Sequence, residues 1–168
     1  MESNNLIKNV GLALLLLMVS GLIYRQARAN DAPPTLKIGL VAPFEGLYRS
    51  TGYEALFAVK VALRERNQAQ GLQGYRVELV ALNDFNDPIE ASRQAKALIA
   101  DPDILGVIGH FTPASTLAAL PVYQEARLVM VIPWSVPESI FQQDIQGVGT
   151  VAATYEETAA RLEAVGQE

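Results

Sequence analysis

Two spacings of apolar residues alternate along most of the chain. Leu36–Val41, within "TLKIGLVAPF", is a short β-branched run and predicts a strand. A loop bearing Gly and Ser follows, from Pro43 to Gly52. Leu56, Val59 and Leu63 then recur at helical spacing through about Asn67, where "GLQG" breaks the helix. "YRVELVALND" predicts a second strand over Arg76–Leu82, and "DPIEASRQAKALIAD" a second helix with Ala91, Ala95, Leu98 and Ile99 on one face. Ile104–Ile108 is a third strand, a third helix runs from Pro113 to about Ala126, and "LVMVIPW" is a fourth strand. A short helix begins near Pro137, "GVGTVAA" is a fifth strand, and "TYEETAARLEAV" is a last helix aligning Tyr155, Ala159 and Leu162.

Strands that alternate with helices build βαβ units, and hence an α/β fold with a parallel sheet covered on both faces. Five strands suit a doubly wound sheet in the order 2-1-3-4-5, with right-handed crossovers. In that order the chain reverses direction between strands 1 and 3. A crevice opens there, at the carboxyl ends of those strands.

The N-terminal residues follow neither spacing. Lys8 precedes an apolar run of 15 residues, Val10 to Tyr24, and Ala27 and Ala29 then stand in a small-x-small arrangement. A positive start, an apolar middle and a small-residue exit describe an export signal cleaved after Ala29. The run falls short of the ~20 residues that span a bilayer comfortably. Arg25 and Arg28 also suit a membrane boundary, so an uncleaved apolar helix touching the membrane through residues 10–24 is the alternative. The expected organisation is a signal peptide or anchor over residues 1–29, a proline-bearing linker over 30–35, and one folded lobe over 36–168, outside the cytoplasm.

Composition narrows the function classes. Hydrophobic residues make up 50% of the 168 and charged residues 18%, enough for a core. The net charge is -5; without residues 1–29, which hold three basic residues and one acidic, it becomes -7. No basic patch remains for nucleic acid. The absence of cysteine excludes disulfides, thiol catalysis and thiolate metal sites. Neither a G-x-G-x-x-G run nor a phosphate-loop lysine motif occurs, and no cofactor is implied.

Candidate chemistry clusters in three loops. "APFEGLYRSTGYE" follows strand 1, "GHFTPAST" follows strand 3, and "PWSVPE" follows strand 4. Each enters a helix through hydroxyl residues. Ser50 and Thr51 precede the first helix. Thr112 and Pro113 form an N-cap and first-turn proline, with Ser115 one turn on. Ser135 and Glu138 have capping-box spacing. Helix starts carry unpaired N–H groups and partial positive charge, so several aimed at one crevice suit a carboxylate or another small anion. Plain capping is the competing reading for each residue. Trp134 either lines a pocket for an apolar ligand group or packs half-buried. His110, the only histidine, is read as a satisfied structural group, because no orienting carboxylate stands within its loop. Asp84 and Asp87 resemble a metal pair, but Asp87-Pro88-Ile89-Glu90 reads as an N-cap and first turn, after a strand away from the reversal. Glu156 and Glu157 read as a solvated first turn.

With "NDPIEASRQAKALI", "VIGHFTPAST" and "PVYQEARLVMVIP" in this order, residues 36–140 resemble the extracytoplasmic solute-binding proteins of branched-chain amino acid ABC transporters. These are type I periplasmic binding proteins. The resemblance implies a non-enzymatic partner of an ABC permease, with two α/β lobes closing on a small solute. It implies that the first lobe holds an amino acid's carboxylate and amine through the loops after strands 3 and 4, with help from the loop after strand 1. Thr51 matches a residue near the ligand. Pro113 falls where amino-acid binders usually have a serine, leaving Thr112 or Ser115 to substitute. The "PWSVPE" loop is one residue short of the family pattern, so Trp134 and Ser135 align loosely. These departures leave a branched-chain amino acid level with an aromatic, amide or other small organic solute. Family members are usually more than twice this length. The chain accordingly corresponds to one lobe and is expected to bind weakly by itself; a truncated gene product, a fragment, and half of a split protein with its second lobe in trans are the open alternatives. A membrane-anchored sensory or interaction domain of the same fold, and an α/β enzyme, are the alternatives.

Overall fold

A computed structural model of the chain describes residues 17–22, 33–143 and 146–165. The chain divides into two units, Met1–Pro34 and Thr35–Glu168. In the first, residues 17–22 are helical. The rest of the apolar segment 10–24 and the cleavage site after Ala29 lie outside the described residues. Among the described residues, no helix is long and apolar enough to cross a membrane.

The second unit contains β1 (Thr35–Ala42), α1 (Arg49–Gln68), β2 (Arg76–Asn83), α2 (Pro88–Ile99), β3 (Ile104–Ile108), α3 (Pro113–Glu125), β4 (Val129–Ile132), a 3₁₀ turn (Glu138–Gln143), β5 (Val148–Thr150) and α4 (Tyr155–Val165). The sheet order is β2-β1-β3-β4-β5, with every pairing parallel. The alternating apolar spacings predicted this, and β3 has its predicted bounds. β1 therefore lies between β2 and β3, at the reversal.

Strand alternation sorts the core onto two faces. Val41 faces a cluster with Ala91, Ala95 and Leu98 of α2 and Leu120 and Tyr123 of α3. Its neighbours Leu40 and Ala42 face the opposite cluster, with Phe111 and with Ala55 and Leu56 of α1. Small residues on α2 let it lie close to the sheet; a Cβ on Gly39 would already meet Leu98 at 2.6 Å. Ile99, assigned to the packed face of α2 by its spacing, is instead exposed. It closes the helix, where the stripe has rotated away from the strands. The face under α1 stays open over β3 and β4. Ile38, Gly106, Ile108, Val129 and Val131 line an apolar groove there of about 370 Å³. The last helix buries none of its residues, and the Tyr155, Ala159, Leu162 stripe is exposed.

Candidate functional site

The carboxyl ends of β1, β3 and β4 lie along one edge of the sheet, and the three loops named above continue from them. Two helix starts flank the β1/β3 boundary. α1 begins at Arg49, so Ser50 and Thr51 do not precede the helix but sit inside its first turn, and its N-cap, Tyr48, makes no side-chain cap. α1 can begin this close because residue 52 is glycine: a Cβ there would lie 2.1 Å from the Pro43 carbonyl oxygen. α3 begins at Pro113, which has no N–H. Thr112 has the extended backbone of an N-cap, with φ -138° and ψ 153°, yet its hydroxyl caps nothing. That hydroxyl donates to Asn86 Oδ1 at 2.6 Å.

Helices away from this boundary differ. α2 is capped by Asp87, whose Oδ1 accepts from the Ile89 and Glu90 N–H groups at 2.8 and 2.9 Å. α4 starts on a reciprocal capping box: the Thr154 N–H donates to Glu157 Oε2 at 2.9 Å, and the Glu157 N–H to Thr154 Oγ1 at 3.2 Å. Glu157 is thus a cap residue, and its neighbour Glu156 accepts from the Glu138 N–H at 2.9 Å. The Ser135–Glu138 capping box does not form; Glu156 reaches the 3₁₀ turn from 18 residues further along. Capping therefore explains Asp87 and Thr154. It does not explain Ser50, Thr51 or Thr112.

The turn after β2 holds the neighbouring loops together, although its strand lies away from the reversal. Asn83 Oδ1 accepts from the Phe44 N–H at 2.9 Å, fixing the loop after β1. Asp84 is 1% exposed and His110 fully buried; the imidazole Nδ1 donates to Asp84 Oδ2 at 2.7 Å. Nε2 lies 3.3 Å from the Tyr123 hydroxyl. Burial, with the Asp84 charge adding to it, holds the Tyr123 phenol well above its ordinary pKa. His110 is thus a satisfied structural group, as its place at a strand end suggests. Its carboxylate partner comes from a different loop, 26 residues away. Asp84 caps no helix: its two oxygens accept from His110 Nδ1 and from the Asn86 N–H. Among the described residues, no group of three or more acidic or histidine side chains is arranged to hold a metal ion.

Ser115 is fully buried and its hydroxyl has no hydrogen-bond partner. Its side chain is thus enclosed, unlike that of its exposed neighbour Ala114. Trp134 is 40% exposed beside half-buried Ser135. Its ring has an apolar surface to offer at the rim of the loop after β4. His110 faces Asp84 and Tyr123 rather than a serine, so no acyl-transfer triad is assembled.

The sequence of residues 35–167 matches the family model described as periplasmic binding protein. The chain belongs to that family. Periplasmic binding proteins are solute-binding proteins of the extracytoplasmic space, not enzymes. The chain is 28% identical over 146 residues to a Pseudomonas aeruginosa protein named amino acid binding protein, covering 87% of this chain and 37% of that one. It is 27% identical over 123 residues to the Leu/Ile/Val-binding protein of Escherichia coli, covering 73% of this chain and 32% of that one. The structure is similar to a Desulfitobacterium hafniense ABC transporter substrate-binding protein in complex with Leu, with TM-score 0.69 and 25% identity over 78% of this chain and 38% of that one. The chain spans about a third of the length of the relatives it matches.

Proposed function

We propose that this chain supplies one lobe of an extracytoplasmic protein that binds an amino acid, or a related small organic acid or amide, for an ABC importer. The observation that carries the reading is the pair of side-chain-uncapped helix starts at the β1/β3 boundary, α1 and α3, in a molecule that caps α2 and α4. Uncapped N–H groups and the positive end of the helix dipole suit a carboxylate. On α3, the backbone N–H of exposed Ala114 bears it, since Pro113 has none and Ser115 is fully buried. Thr51, Ser50 and Ser135 supply the remaining polar rim, and Trp134 the apolar wall. The names of the relatives, and the leucine in the complex just described, support the solute class. The proline at 113, where amino-acid binders usually carry serine, keeps an aromatic or amide solute within it.

The facing wall comes from a second lobe. Without it, hydrogen bonds and apolar contacts form on one side only, and hinge closure cannot exclude water. Residues 1–29 direct export, either as a cleaved signal or as an anchor through residues 10–24. Thermal denaturation of the purified full chain, with amino acids, their amides and aromatic acids each at about 10 mM, tests the reading. For Kd near 1 mM, mass action gives about 1.4 kcal/mol, a rise in Tm of about 3–6 °C. Where an amino acid produces that rise, its methyl ester, which keeps the amine and side chain but not the carboxylate, produces none. A chain that responds to no solute, or equally to acid and ester, overturns the reading.

A further inference from the structure

Between α1 and β2 the chain closes a miniature hairpin. Leu72 and Tyr75 exchange both backbone N–H···O bonds, each 2.9 Å, across Gln73 and Gly74, whose φ angles are 51° and 88°. Two successive positive φ angles mark the tight hairpin turn that holds its flanking residues face to face. Residues paired in this way set their side chains on one side of the ribbon. Leu72 and Tyr75 are 38% and 40% exposed, so the turn fixes an apolar side chain beside an amphipathic ring in water.

Cations gather beside this turn. The chain after residue 29 is acidic, yet four of its ten Lys and Arg residues, Lys60, Arg64, Arg66 and Arg76, fall within residues 60–78, against two carboxylates, Glu65 and Glu78. Net charge alone conceals the grouping. The Asn67 amide ties the end of α1 to the start of β2: Nδ2 donates to the Val77 carbonyl and Oδ1 accepts from the Val77 N–H, both at 2.8 Å. Lys60, Arg64 and Arg76 thereby line one open groove of about 590 Å³, together with apolar Leu63 and Leu79. All four cations are exposed. Among the described residues, Lys60, Arg64 and Arg66 have no ion pair, and Arg76 Nε lies 3.8 Å from Glu78. Asp101 and Asp103, before β3 at the same end of the sheet, are engaged by Lys37 Nζ at 2.7 and 3.4 Å.

We infer that the hairpin and these cations form a docking surface for a membrane bearing anionic phospholipid. Leu72 and Tyr75 enter the interface, and Lys60, Arg64, Arg66 and Arg76 meet the lipid phosphates. An apolar residue and a tyrosine ringed by Lys and Arg is the combination that settles at a bilayer surface. Position favours lipid over an acidic protein. Thr35, where the lobe begins, pairs in register with Arg76, so the apolar N-terminal segment joins the lobe at this end. The contact does not depend on the solute reading given above, nor on residues 1–29 being retained; retained as an anchor, they raise its effective concentration. A lobe docked this way turns the carboxyl ends of its strands, and the crevice, away from lipid and towards solute.

Tryptophan quenching tests this, because the sequence has one tryptophan, Trp134, at the opposite end of the strands. The full chain carrying Trp134→Phe and Leu72→Trp is mixed with vesicles of phosphatidylcholine, with or without phosphatidylglycerol, that bear a nitroxide on the lipid headgroup. The indole introduced at the hairpin is expected to be quenched on the phosphatidylglycerol vesicles and not on phosphatidylcholine alone. Trp134 of the unaltered chain stays bright on both. Lys60→Glu, Arg64→Glu or Arg76→Glu, each added singly, lowers the lobe's affinity for the anionic surface about fivefold or more, and the three together abolish quenching. Salt at about 1 M, where screening acts within about 3 Å, abolishes it without any substitution. An unquenched hairpin indole overturns the inference even if the vesicles capture the chain, since residues 10–24 alone then account for capture. Quenching that ignores phosphatidylglycerol, salt and the reversed charges also overturns it, as does equal quenching of Trp134.

Discussion

Replacing Asp84 with alanine is expected to remove about 3 kcal/mol of folding stability, the upper end of the range for leaving a buried hydrogen-bonding group without its partner. The carboxylate is 1% exposed and accepts from His110 Nδ1 at 2.7 Å through one oxygen and from the Asn86 N–H at 3.0 Å through the other. Alanine leaves a fully buried imidazole N–H without its acceptor and releases the turn that carries Asn86. Asp84→Asn keeps an acceptor of nearly the same shape and is expected to cost only about 1–2 kcal/mol, as for an altered buried hydrogen bond. Urea denaturation compares the three chains at constant slope. A loss below about 1 kcal/mol for Asp84→Ala would mean that His110 finds another partner and that the β2 turn is not what fixes the loop after β3.

The second large effect is expected at Gly109, where β3 ends. Its φ is 144°, which L side chains rarely adopt, and a Cβ there would lie 2.4 Å from the Val41 carbonyl oxygen. That oxygen belongs to β1, in the central strand pair, so relief requires the ends of β1 and β3 to separate. Gly109→Ala combines backbone strain of about 1–3 kcal/mol with this overlap, and is expected to cost about 4 kcal/mol or more. Gly46→Ala isolates the two contributions. Gly46 has φ 74° and nothing within 4 Å of its missing Cβ, so it meets strain alone, about 1 kcal/mol. Equal losses at the two positions, measured by thermal unfolding, would remove the argument that Gly109 sets the spacing of the crevice.

The fold was legible because it rests on repeated local signals. Ala91, Ala95 and Leu98 recur at the helical period and are buried, and Ile104–Ile108 is an apolar run of strand length in a parallel sheet. The strand order followed from their alternation. The site was legible only as a place. The parallel order brings the ends of β1, β3 and β4 to one sheet edge, yet the roles of individual side chains there are set by contacts that spacing does not carry. Thr112-Pro113 has every local mark of a capped helix start, but Asn86 claims the hydroxyl. His110 has no carboxylate in its own loop and finds Asp84 in another. Ser135 stands three residues before Glu138, but Glu156 supplies the hydrogen bond. One signal could have drawn attention to the turn after β2: four of the five residues in Asn83-Asp84-Phe85-Asn86-Asp87 are amide or carboxylate side chains at one strand end. Such density in so short a turn exceeds what capping one helix needs.

The account stands on an anionic solute group seating between the starts of α1 and α3. NMR titration of the isotope-labelled full chain with L-leucine, carried to about ten times a millimolar Kd, reports the seat residue by residue. The predicted result is a set of saturable amide shifts confined to residues 43–52, 109–116 and 133–136, largest at Ala114 and missing when leucine methyl ester replaces leucine. Saturable shifts that instead map to the open apolar groove over Leu105 and Val129, or that persist undiminished with the ester, would contradict it.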